Sequence, residues 1–375
     1  GNAGLASDAL LSHEIARPSV VSISPASRGF VSDIDAVVAT LADASSASTI
    51  EVIAPDGSSL VGSTEFAAGV LTFAPETAVV ADGRDDGEYT VVVVPADASG
   101  NAGEARSFRF TYDTQPPEIT SVDPLELLNA EVFLSRSIAR IVASIGDATS
   151  GPDLSASSVR LLDEAGAEVS GSLVDNNDAT LWLQLDSPLI AGGASDGHYT
   201  AEVMAADRAG HITVLSQAVV YDSLAPTLVS SAPAADETVA ETITSMTLEF
   251  ADDGGSGLDV AGTQITLRSP DGATIATNRS AEGDVVTVTF SRLTQVGGYI
   301  LQAQALDRAG NLAENAVSVP FFVALRVPAV TSLSIGGASG VSFTNDLSEV
   351  RAEFVDRSGV GLDFTDDGSR IDIGG

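Results

Sequence analysis

The residues of this chain best suited to chemistry are aspartates, and they recur at fixed places. Tyr89, Tyr199 and Tyr299 are each followed eight positions later by an aspartate that opens a Gly-containing group: Asp97 to Asn101, Asp207 to His211, and Asp307 to Asn311. A second set lies in proline-bearing linkers, Asp113 ahead of Pro116-Pro117 and Asp222 ahead of Pro226. A third occupies acidic loops: Asp147 to Gly151, Asp252 with Asp253 and Asp259, and Asp356 with Asp363, Asp366 and Asp367. Carboxylate, amide and carbonyl oxygens are what calcium takes, six to eight of them in flexible geometry. A linker aspartate (Asp113, Asp222) meeting hairpin oxygens such as Asp97 and Asn101, or Asp207, would form one such site. Asp252, Asp253 and Asp259 would form another on their own loop. The competing reading is a set of Asx turns and solvated acidic loops without an ion. Three departures bear on it: His211 stands where the other hairpins have Asn, Gly297-Gly298 where the other turns have Asp-Gly, and Ala324-Leu325-Arg326-Val327-Pro328 is a linker without aspartate.

Other chemistry is sparse. Trp182, the only tryptophan, aligns with Thr72 and Thr287 on an outward strand face. There it would stack on a sugar ring or pack on a partner, or cover a loop of its own domain. The histidines, His13, His198 and His211, have no nucleophile at a motif spacing. No Gly-x-Ser-x-Gly, His-Glu-x-x-His or phosphate loop occurs. Asn278-Arg279-Ser280 matches a glycosylation acceptor in form only. The residues predict no enzyme.

The elements that carry these groups read as strands. Tyr299, Leu301, Ala303 and Ala305 alternate with Gln302 and Gln304, and Tyr199, Ala201, Val203 and Ala205 repeat the pattern. Period two is a half-buried strand. Each tyrosine follows a Gly-containing turn and opens its strand, the setting of a tyrosine corner, whose hydroxyl bonds upstream backbone. Tyr89, Tyr199 and Tyr299 are therefore structural. The Asp-x-x-Gly-Asn group closes the strand as a hairpin. Ile50 to Ile53 reads as a central strand, Pro55-Asp56-Gly57 and Pro270-Asp271-Gly272 as turns, and Leu125 to Leu128 as at most a turn of helix.

Composition narrows the class. Among 375 residues, Lys+Arg is 17 against Asp+Glu 52, a net charge of −35, and every basic residue is arginine. Such a surface repels nucleic acid and anionic lipid and suits calcium or high salt. There is no cysteine, and no stretch is long and apolar enough to span a bilayer.

The tyrosines lie roughly one hundred residues apart, which predicts tandem β domains. Their expected limits are 17–114, 115–223 and 224–325. Residues 1–16 read as the closing strand of a preceding, truncated domain, and 326–375 as the front of a further one. With the Ala225-Pro226 opening, the Ser256-Gly257-Leu258-Asp259 element, the Asp-Gly-x-Tyr-Thr turn and the Asp-x-x-Gly-Asn hairpin, the chain resembles bacterial Ig-like repeats of large surface proteins and adhesins. The resemblance implies an extended rod of immunoglobulin-like sandwiches at the cell surface or secreted, a non-catalytic spacer with calcium at its joints. Its partners would be neighbouring domains of the same chain and surface glycan or protein. The rival functions are a glycan- or protein-binding module, an accessory region of a large secreted enzyme, and a surface-layer module.

Overall fold

The computed structural model describes residues 17–125, 130–176, 178–324, 329–335, 338–339 and 350–355, and these contain strands and turns without a helix. The expected segment 1–16, the turn at Leu125 to Leu128 beyond its first residue, and the acidic group from Asp356 to Asp367 lie outside the described residues.

The first eight strands are β1 (Ser19–Ser24), β2 (Phe30–Val31), β3 (Val37–Ala42), β4 (Thr49–Ile53), β5 (Gly62–Ala67), β6 (Val70–Pro75), β7 (Gly87–Val94) and β8 (Arg106–Tyr112). They form two sheets, β1-β3-β6-β5 and β2-β8-β7-β4. This is the two-sheet division of an immunoglobulin-like sandwich, with the added short strand β2 running parallel to β8. Strand β7 alternates because its inward residues, Tyr89, Val91 and Val93, join the core while Val92 and Val94 stay half-buried. The core takes Val37, Ala39, Leu41, Leu71 and Phe73 from one sheet and Val52, Tyr89, Val91 and Phe110 from the other. The segment Ile50 to Ile53, expected at the centre, lies at a sheet edge instead: it pairs with β7 and, across its other side, only through a bridge from Ile53 to Ser59. Its apolar residues answer to the core beneath it, not to flanking strands.

The next eight are β9 (Glu118–Asp123), β10 (Val132–Leu134), β11 (Ile138–Gly146), β12 (Ser158–Asp163), β13 (Gly171–Asp175), β14 (Thr180–Leu189), β15 (Gly197–Ala206) and β16 (Ile212–Tyr221). Their orders, β9-β11-β14-β13 and β10-β16-β15-β12, repeat those of the first eight. The pattern returns with β17 (Thr227–Ala232), β18 (Thr238–Val239), β19 (Ser245–Ala251), β20 (Gln264–Arg268), β21 (Thr274–Ile275), β22 (Thr277–Glu282), β23 (Val285–Phe290), β24 (Gly297–Gln304) and β25 (Val317–Val323). These give β17-β19-β23-β22 and β18-β25-β24-β20-β21. A last sheet, β27-β26-β28, uses β26 (Ala329–Ile335), β27 (Ala338–Ser339) and β28 (Val350–Val355). The protein is thus all-β and immunoglobulin-like. It divides into two compact units, Gly1–Ala130 with Ile138–Pro188 and Thr200–Ala218, and Glu131–Ser137 with Leu189–Tyr199 and Val219–Gly375.

The three tyrosines are tyrosine corners. Their hydroxyls donate to the carbonyl four residues upstream: Tyr89 to Asp85 at 2.9 Å, Tyr199 to Ser195 at 2.7 Å and Tyr299 to Gln295 at 3.0 Å. Each bond is worth about 1 kcal/mol. Tyr89 also stacks on Phe110, and Tyr299 on Phe321, at 5.5 and 5.6 Å between ring centroids. Burial pushes the Tyr89 hydroxyl up to about 12.

Candidate metal centres

Asp113 follows β8 directly. Its N–H donates to the Val31 carbonyl at 3.0 Å, continuing the β2–β8 ladder, so its side chain is carried past the sheet end. There it is fully buried. Oδ1 accepts from the Gln115 N–H and Oδ2 from the Ser150 N–H, both at 3.0 Å. Ser150 belongs to the loop after β11, a loop turned by Asp147, whose Oδ1 accepts from Thr149 and Gly151 N–H groups at 3.1 and 2.6 Å. Asp207, at the end of β15, folds its own hairpin by accepting from Gly210 and His211 N–H groups at 2.6 and 2.9 Å. Its other oxygen lies 2.8 Å from His211 Nδ1. Asp113, Asp147 and Asp207 each bring one oxygen within 4.8 Å of the others.

The same construction recurs after β16. Asp222 donates its N–H to the Leu134 carbonyl at 2.8 Å and accepts from Leu224 and Ser256 N–H groups at 3.0 Å each. Asp252 accepts from Gly257 at 2.5 Å, and Asp307 from the Asn311 N–H at 2.7 Å. Asp222, Asp252 and Asp307 again place one oxygen each within 4.8 Å. Here the Asn311 amide ties the set together, donating to the Asp222 carbonyl and to Asp307 Oδ2, both at 2.8 Å. Asp252 Oδ1 is buried and meets no donor among the described residues. Gly254 packs so closely that a Cβ there would stand 1.7 Å from Asp222 Oδ1.

Three carboxylates at this spacing repel. At an effective dielectric of 20, two full charges about 4.8 Å apart cost ~3–4 kcal/mol, more than one hydrogen bond returns. In the second cluster burial first, and repulsion behind it, favour the protonated carboxyls. Burial, with the Asp222 and Asp307 charges behind it, pushes the Asp252 carboxyl up to about 6, and burial chiefly raises Asp307 as well. A cation removes the same repulsion without a proton. An ion held at 2.3–2.6 Å from its ligands bridges oxygens up to about 5 Å apart, so both clusters can converge on one.

The structure brings Asp113 together with Asp207, and Asp222 with Asp252, and adds Asp147 and Asp307. Those two were visible in the sequence as members of recurring groups, but their meeting depends on how strands from distant parts of the chain end. Asp97 and Asn101 belong to neither cluster. Asp97 accepts from Ser99 and Asn101 N–H groups at 2.8 Å each and from Asn101 Nδ2 at 2.7 Å, an Asx-type turn, and these bonds, the Asn101 side chain first, lower its pKa. Asp253 is exposed. Asp259 caps its own turn, accepting from Ala261 and Gly262 N–H groups at 3.0 and 3.1 Å. Trp182 is half-buried on β14, paired with Val174, and the Arg140 guanidinium sits 4.2 Å from the centre of its ring. His198 lies 3.7 Å from Glu131.

A family model, the CopC domain, matches residues 228–320, about a quarter of the chain. No curated protein matches it. Among solved structures, the chain is similar to PcoC, a methionine-rich copper resistance protein from Escherichia coli, at 20% identity, covering 27% of this chain and 99% of that one, with a TM-score of 0.23. It is similar to the Escherichia coli adhesin FdeC at 17% identity, covering 82% of this chain and 98% of that one, with a TM-score of 0.37. A tetra-tandem repeat in the extending region of a large adhesion protein gives 17% identity, 82% and 74% coverage, and a TM-score of 0.30.

Proposed function

We propose that this chain is a non-catalytic spacer segment of a large secreted or cell-surface bacterial protein of adhesin type, stiffened by calcium where one sandwich follows another. The observation that carries the reading is the recurrence of one three-part cluster: a buried linker aspartate, an aspartate from the loop after the third strand of a sandwich, and an aspartate from its last hairpin. A carboxylate carried by the linker and hydrogen-bonded by the following sandwich ties the two together. The domain limits read from the sequence, with one joint near Asp113 and another near Asp222, belong to this proposal. The donor sets are all carboxylate apart from neighbouring amide and imidazole, the hard oxygen chemistry of calcium.

A copper function borrowed from PcoC fits poorly. Soft thioether or imidazole ligands select copper. Residues 228–320 contain no histidine or cysteine, and their one methionine, Met246, is 2% exposed in the core. A glycan-binding function would use Trp182, one face of which is already taken by Arg140.

The test is thermal unfolding of the whole chain in calcium and in chelator, with Asp113→Asn and Asp222→Asn beside the parent. Saturation at 100 times Kd should stabilise the parent by about 2.7 kcal/mol per site, and each variant should lose part of the shift. Identical parent melts in the two buffers would remove calcium. Glycan-array binding abolished by Trp182→Ala would favour a binding module over a spacer.

A further inference from the structure

Each cluster has a cationic neighbour one residue along its hairpin. Arg208 follows Asp207; its Cζ lies 5.6 Å from the ring centroid of Phe30, its N–H donates to the Gly151 carbonyl at 3.1 Å, and Nη1 to the Ser150 carbonyl at 3.4 Å. Arg308 follows Asp307 in the same way: Cζ is 6.0 Å from the ring of Phe133, and the N–H donates to the Gly257 carbonyl at 3.0 Å. Both distances fall in the range where a guanidinium is drawn to a ring face.

Phe30 and Phe133 occupy matching places on β2 and β10. They pair with Thr111 and Val220, and the next carbonyl on the strand receives the linker-aspartate N–H. The third sandwich keeps this backbone arrangement, with Thr238 paired to Phe322 and the Ala324 N–H donating to Val239 at 2.9 Å. There the phenylalanine is Thr238 and the aspartate is Ala324. Ring and carboxylate are present together twice and replaced together once, which marks them as parts of one device.

We propose that the arginine–phenylalanine pair is a second latch at each joint, one that holds the last hairpin of a sandwich against the short edge strand before it when no cation fills the carboxylate cluster. The division of labour between the two latches rests on the calcium reading above; the arginine latch does not. A ring face has no protons to lose and binds no chelator, so its attraction for the guanidinium persists when divalent cations are withdrawn.

The chain has no cysteine, so Ser63→Cys and Ser172→Cys, both at exposed positions, give a single dye pair across the first joint. Distance distributions are recorded by single-molecule energy transfer for this labelled parent and for Arg208→Ala, Arg208→Lys and Phe30→Leu on the same background, in calcium and in chelator. Circular dichroism confirms that each variant is folded. Arg208→Ala and Phe30→Leu should broaden the distribution at least twofold in chelator, with Arg208→Lys between them and the parent, and calcium should restore most of the narrow width. Widths in chelator equal to the parent's for both Arg208→Ala and Phe30→Leu would overturn the latch. A parent and variants that respond identically to calcium and chelator would sink the calcium reading instead, while the variant widths would still decide the latch.

Discussion

Asp97 and Asp307 hold the same place in their hairpins, yet their carboxyls shift in opposite directions. Asp97 is lowered by the Asn101 side chain first and then by backbone amides, which outweigh its own burial. Asp307 has comparable donors, but burial and then the Asp222 charge outweigh them and raise it. Asp252 is the sharper case, pushed up to about 6 from an ordinary 3.8. A carboxyl whose pKa is higher folded than unfolded favours the folded state below the unfolded value and loses that advantage as pH rises through the folded one. In chelator, the sandwich containing Asp252 should therefore melt higher at pH 5 than at pH 7.5, and Asp252→Asn should flatten the difference. Allowing for solvent screening of a partly exposed group, the gain is of order 1 kcal/mol. Differential scanning calorimetry at the two pH values checks it; a parent that melts lower at pH 5 would contradict the assignment. The sequence displays Asp97 and Asp307 at equivalent hairpin positions and Asp252 in an acidic loop. It cannot display which of them will be brought beside another carboxylate: the Asp222 charge adds to burial at Asp252 and Asp307 and is not among the causes at Asp97.

At the scale of elements, the tyrosine corners were legible because they are local. The hydroxyl reaches a carbonyl four residues away, so turn, tyrosine and alternating strand are all contained in one stretch. The edge position of β4 was not, since an apolar run looks alike at the centre and at the rim of a sheet. The clusters combine both situations. Each contributing loop announces itself, the linker by its prolines, the acidic loop by its Ser-Gly step and the hairpin by Asp-x-x-Gly, but their convergence is a tertiary fact. Gly254 shows how tightly they converge. An added methyl would meet the Asp222 carboxylate, and overpacking of this kind costs roughly 1–3 kcal/mol. Gly254→Ala should lower the melting temperature and blunt the calcium response, whereas the same change at Gly272, where a Cβ meets nothing within 4 Å but φ is +84°, should cost stability and leave that response intact. Paired calcium titrations of the two variants separate the outcomes.

For the molecule as a whole, a net charge of −35 sets the background on which any specific ion acts. Self-repulsion is screened over a Debye length of about 8 Å at physiological ionic strength. Monovalent salt should thus raise the melting temperature gradually into the molar range, while calcium should act at far lower concentration and saturate. A single curve for both ions, once plotted against ionic strength, would mean that the clusters have no affinity of their own. The acidity and the strand periodicity were plain in the sequence, and so was the recurrence of about a hundred residues.

The placement of Asp222 has a practical corollary for anyone dissecting this polypeptide. By backbone it finishes the sheet edge of β16 and β10, but its carboxylate serves the buried amide of Ser256. Ownership of the residue is split, and the later sandwich inherits an acceptor from its predecessor. A piece begun at Pro226 would keep β17 to β25 and still be born with an amide that has lost its partner; one begun at Tyr221 would not.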